Sequence, residues 1–71
     1  MRPMATTIGS NIATVREALG YSQSSFARKI NASQSAVSQI ENGERNPSFD
    51  MLLRIKRALG VTWVGLLKGI E

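Results

Sequence analysis

Gln34, Ser35, Ser38 and Gln39 fall within one short stretch, NASQSAVSQIENG, residues 31–43. On a helix, residues three and four apart are neighbours. The four therefore crowd one side, while Val37 and Ile40, three apart, share the opposite side with Ala36 or Glu41 at its edges. A glutamine amide carries both a donor and an acceptor at its tip. It can make a paired contact with N6 and N7 of adenine in a major groove. A serine hydroxyl donates or accepts and suits several base edges. Lysine in these places would bind phosphate and read little. The plainer alternative is a solvated helix face, although such faces more often use Lys and Glu.

Catalytic chemistry is poorly supplied. The chain has no His and no Cys. It thus lacks the commonest metal ligand, the usual general base near neutral pH, and any thiolate site or disulfide. Its carboxylates, Glu17, Glu41, Glu44, Asp50 and Glu71, are scattered without paired spacing. The expectation is no enzyme, no cofactor, no metal and no small-molecule substrate. Nine Lys and Arg against five Asp and Glu give a net charge of +4. That balance is compatible with nucleic acid or an anionic surface. No apolar run approaches the ~18 residues of a membrane span. The opening MRPMATTIGS has no apolar core of a signal peptide. A cytoplasmic protein without membrane contact is expected.

A chain of 71 residues reads as one small domain. Helical spacing runs through it, and no stretch alternates with period two over strand length. Ile8, Ile12, Val15 and Leu19 lie on one face of a first helix, from about Ile8 to Leu19, with Thr7 as N-cap and Gly20 as terminator. Ser22 caps a second helix, Gln23 to Ile30, with Phe26, Ala27 and Ile30 inside. Asn31 follows, and Asn tolerates positive φ better than other residues with a side chain. Ser33 caps a third helix, Gln34 to about Asn42, closed by Gly43. The short connection between the second and third helices fixes their angle, as in a helix-turn-helix. After the Asn46-Pro47 loop, Ser48 caps a fourth helix, Phe49 to Leu59. Phe49, Leu52, Ile55, Lys56 and Leu59 share one of its sides, with the Lys56 stem running outward. Thr62 caps a short fifth helix, Trp63 to Leu67.

The segment YSQSSFARKINASQSAVSQIENGERNPSFDMLLRIKRALGVTWVGLL resembles the helix-turn-helix domain of lambdoid phage repressors, Cro proteins and the wider xenobiotic-response-element repressor family. The resemblance covers the chain from Ile8 to Leu67. It rests on SQ opening the second helix, Ala27, the IENGERNPS run and ALGV, in order and at the right spacing. It implies an all-α, compact five-helix lambda-repressor-like fold, with residues 1–7 as a flexible arm and 8–71 as the DNA-binding domain. Gln34, Ser35, Ser38 and Gln39 match the base-reading positions, with Ser33 at their edge. Gln23 matches a residue that touches phosphate and braces the first reading residue. Ala27 matches the small residue at the helix crossing. Asn42, Arg45 and Asn46 match the loop that grips the sugar-phosphate backbone. Arg16 and Glu41 match a pair that joins the first helix to the third. Two departures stand out: Asn31 replaces the usual Gly, and Glu44 stands where a basic residue is common.

The function so implied is sequence-specific binding of double-stranded DNA by a transcriptional regulator, most naturally a repressor, with residues 34–42 in the major groove. The expected partner is an operator with an inverted repeat, bound by a homodimer that meets through the fourth and fifth helices or their loops. The alternative is a protein-interaction module of the same fold, such as an antirepressor or a toxin-binding antitoxin. Several residues stay open. Arg28 and Lys29 meet either a phosphate or the helix dipole. Arg54, Lys56, Arg57 and Lys68 read as solvated charge. Trp63 is either a core plug over Leu52 and Leu59 or an interface anchor. Val64 with Gly65 is either a subunit patch or an isolated exposed residue.

Overall fold

Five Ser or Thr residues decide where the helices begin. In the computed structural model, which describes residues 7–69, each helix follows one such residue in an extended conformation. The hydroxyls of Thr7, Ser22, Ser33, Ser48 and Thr62 each accept the backbone N–H three residues on, at 3.0–3.1 Å. Each satisfies a donor the helix itself cannot, worth about 1 kcal/mol. Ser10 and Ser25 return the favour to the capping backbone, closing reciprocal boxes. The helices are α1 Ile8–Ala18, α2 Gln23–Lys29, α3 Gln34–Glu41, α4 Phe49–Leu59 and α5 Trp63–Leu66. No strand occurs among the described residues. The expected ends agree to within a residue. The expected arm, apart from Thr7, lies outside the described residues.

The apolar faces converge on one core. Ile12, Phe26, Ala27, Ile30, Val37, Ile40, Ile55, Leu59 and Leu66 are buried in it, with Phe26 and Leu66 fully enclosed. Asn11 ties the end of α5 to α1, donating from Nδ2 to the carbonyls of Leu66 at 2.7 Å and Lys68 at 3.0 Å. These carbonyls at the end of a helix would otherwise lack a donor.

Two residues expected on buried faces are outside. Leu19 is 53% exposed and Phe49 is 72% exposed. Leu19 is the C-cap of α1, so the face it was counted on ends before reaching it. Phe49 is the first residue of α4, one turn before Leu52, where the core has run out. Its ring stacks instead on Trp63, with centroids 6.2 Å apart. Trp63 is half-buried at the margin of the core, and the Lys56 ammonium sits over its ring at 5.3 Å. The Lys56 stem thus runs along the surface and ends on an aromatic face.

Candidate nucleic-acid interface

The angle of α3 is set by what lies behind it. Ala27, almost completely buried, lets α2 and α3 approach closely. Between them Asn31 takes φ 57°, and the Ala32 N–H donates to the Ala27 carbonyl at 2.8 Å. Asn31 therefore adopts the left-handed conformation that the turn between α2 and α3 requires. From the other side α1 presents Gly9, which is buried. A Cβ at Gly9 would overlap the backbone carbonyl oxygens of Ile40 and Glu41. The absence of a side chain there lets α1 lie directly on the end of α3. Nothing in the apolar periodicity marked Gly9; the available signal was a Gly inside a helix, where it costs about 1 kcal/mol relative to Ala.

A buried charge network completes the clamp. Arg16 and Glu41 are each only 7% exposed. Arg16 Nε donates to Glu41 Oε2 at 2.7 Å and Nη2 to Oε1 at 3.1 Å, a two-pronged pair. Arg16 Nη1 donates to the Tyr21 carbonyl at 2.6 Å. The hydrogen bond to Glu41 raises Arg16 above the ordinary arginine range, more than burial lowers it. Gln23 Nε2 adds a hydrogen bond to Glu41 Oε1 at 3.0 Å. This differs from the expected brace: the Gln23 amide nitrogen serves the end of α3 at Glu41, not Gln34 at its start. One carboxylate thus gathers α1 and the first turn of α2 onto α3.

With Ala36, Val37, Ile40 and Glu41 facing inward, the polar side of α3 is turned out. Gln34 and Ser35 are exposed, and Ser38 and Gln39 are half-buried. Among the described residues none of these four side chains has a hydrogen-bond partner within the chain. Ser33 is also exposed, but its hydroxyl is engaged as the cap of α3. The four line an open recess of about 550 Å³, with Gln23, Asn42 and Glu44 completing the wall. Arg45 and Asn46 are exposed in the following loop. They line a separate, smaller recess of about 190 Å³ against Ala36, Ile40, Ser48 and Met51. Of the residues named from sequence, Gln23, Gln34, Ser35, Ser38, Gln39 and Asn42 line one recess, and Arg45 and Asn46 the other.

The remaining cations are partly engaged. Arg28 and Lys29 stand in the last turn of α2, where positive charge is favourable. Arg28 donates to Ser24 at 3.2 Å, and Lys29 lies over Tyr21 at 5.6 Å. Arg54 pairs with Asp50 at 2.8 Å on the exposed side of α4. No cluster of potential metal ligands occurs among the described residues, and no described helix is long and apolar enough to cross a membrane.

A helix of amides and hydroxyls, held rigidly from behind and open in front, is built to meet a hydrogen-bonding surface. A family model described as helix-turn-helix matches residues 12–66. The chain belongs to this helix-turn-helix family. It is 36% identical over 64 residues to an uncharacterized HTH-type transcriptional regulator, y4dJ, of Sinorhizobium fredii, covering 90% of this chain and 83% of the relative. Identity to the control protein C.MunI of a Mycoplasma species is also 36%, over 72 residues, covering 100% of this chain and 97% of that protein. Among solved structures, the P22 c2 repressor in complex with a synthetic operator matches with a TM-score of 0.82 and 31% identity. That match covers 90% of this chain and 97% of the repressor.

Proposed function

We propose that this helix-turn-helix protein is a sequence-specific regulator of transcription, acting as a repressor, that inserts α3 into the major groove of double-stranded DNA while α2 crosses the backbone. The observation that carries the reading is the contrast across α3. Its inner face is fixed by buried contacts, and its four outer polar side chains have no hydrogen-bond partners among the described residues. Resemblance to a repressor crystallised with operator DNA supports the same reading. Gln34 contacts adenine, Ser35, Ser38 and Gln39 read adjoining base edges, and Ser33 stands at their rim. Gln23, Asn42, Arg45 and Asn46 hold sugar and phosphate. Two copies bind an inverted repeat, joined through α4 and α5, where Val64 is 82% exposed.

The outer face of α3 carries no Arg, so the two-pronged Arg–guanine contact is not available from it. At least one A·T pair per half-site is therefore expected opposite Gln34. After selection of bound sites from random DNA, wild type and Gln34→Ala are compared on the selected site and on one changed only at that pair. Wild type should lose about 1–3 kcal/mol on the changed site. Gln34→Ala should lose little further. Equal discrimination by both proteins would refute the assignment.

A further inference from the structure

Glu44 is the one charge in the wall of the α3 recess. Its backbone N–H donates to the Gln39 carbonyl at 2.9 Å, which folds the chain back along the end of α3. Glu44 then borders the same recess as Gln34, Ser35, Ser38 and Gln39. The next residue, Arg45, borders the other recess, against Ile40 and Met51. The loop thus divides its two charged residues, with Glu44 on the wall of the reading-face recess and Arg45 on the wall of the other. Among the described residues Glu44 takes part in no ion pair.

We propose that Glu44 determines specificity by accepting a hydrogen bond from the exocyclic amine of a cytosine, an inference that rests on the DNA-binding reading above. An ionised carboxylate accepts and does not donate. Beside a phosphate it meets like charge; on the floor of the major groove it meets two kinds of donor, adenine N6 and cytosine N4. Adenine N6 lies between two acceptors, its own N7 and the O4 of the paired thymine. Cytosine N4 has an acceptor on one side only, guanine O6, and the carbon edge of its own ring on the other. A carboxylate approaching from that carbon side finds a donor without an acceptor beside it. Glu44 therefore supplies a selection of C·G from the cytosine side, where the face of α3 lacks the two-pronged Arg–guanine contact.

The experiment is selection of bound sites from random-sequence DNA by the full chain, with wild type, Glu44→Ala and Glu44→Lys. Circular dichroism confirms that each variant is folded, as expected for an exposed loop position. Wild type should enrich cytosine at one position in each half-site, distinct from the A·T pair read by Gln34. Glu44→Ala should lower that enrichment by about fivefold, the low end for one base contact, and leave the A·T preference intact. Glu44→Lys should abolish it. Unchanged base frequencies in Glu44→Ala, or a gain in affinity for all sequences alike, would overturn the inference. The A·T pair would still be selected in either case, leaving the DNA-binding reading standing. Wild type that selects no sequence at all would instead overturn both.

Discussion

Removing one partner from the Arg16–Glu41 pair should strongly destabilise the protein, whereas removing both should not. The pair is two-pronged at 2.7 and 3.1 Å, and both residues are 7% exposed. Arg16→Met leaves the Glu41 carboxylate buried with only the Gln23 amide donating to it. Glu41→Leu leaves a buried guanidinium with the Tyr21 carbonyl as its close acceptor and the exposed Glu17 carboxylate, 3.7 Å away, as its only counter-charge among the described residues. Each single substitution should cost about 3–5 kcal/mol. At roughly 0.05–0.15 kcal/mol per residue, a chain of 71 residues has about 4–11 kcal/mol in total, so either loss is a large share. The double variant replaces a buried charge pair by apolar side chains and should lie within about 1 kcal/mol of wild type. Urea titration followed through the single Trp measures all four proteins. With a slope of about 1 kcal/mol per M for so small a domain, each single midpoint should fall by ~3 M or more. Because Glu41 raises Arg16 above its ordinary range, its stabilisation is complete below that range and is lost only in strong alkali. The coupling should therefore be the same across roughly pH 6–9 as far as Arg16 is concerned. Single variants that each cost less than about 1 kcal/mol, as exposed pairs do, would refute the reasoning. So would a double variant as unstable as the two losses combined.

Gly9→Ala should destabilise by about 1–3 kcal/mol despite the better helix propensity of Ala, because the new methyl meets backbone oxygens of α3 that cannot rotate away. At 4–8 °C per kcal/mol the melting temperature should fall by about 4 °C or more, and a rise would contradict the close approach. Arg45→Ala should flatten the log–log dependence of DNA affinity on salt by about one unit and weaken all sequences alike. Lost specificity with an unchanged slope would remove Arg45 from the phosphate contacts. Val64→Glu should leave the melting temperature of dilute protein unchanged while weakening self-association in sedimentation, since the residue is already 82% exposed. Unaltered association would place the subunit contact elsewhere.

The caps and apolar steps of this sequence are enough to place the five helices of the described residues because both are local signals. A capping Ser or Thr is read from the few residues that follow it, and Phe26, Ala27, Ile30, Val37 and Ile40 face the core as their spacing requires. Leu19 and Phe49 show what period leaves out: it names a face but not how far along the helix a neighbour continues to cover it. The clamp behind α3 was only half legible for a related reason. Arg16 and Glu41 came from resemblance, while Gln23 and Gly9 act through particular atoms of α3 that no spacing identifies. Yet the clamp controls the site more directly than the core does. Apolar contacts at Val37 and Ile40 are tolerant of rotation, since dispersion has little directionality. A guanidinium held at two carboxylate oxygens, a side-chain amide on one of them, and a helix resting directly on carbonyl oxygens are not tolerant. The polar face of α3 is therefore aimed by the few contacts with directional geometry, and those are the ones a one-dimensional pattern is least able to specify.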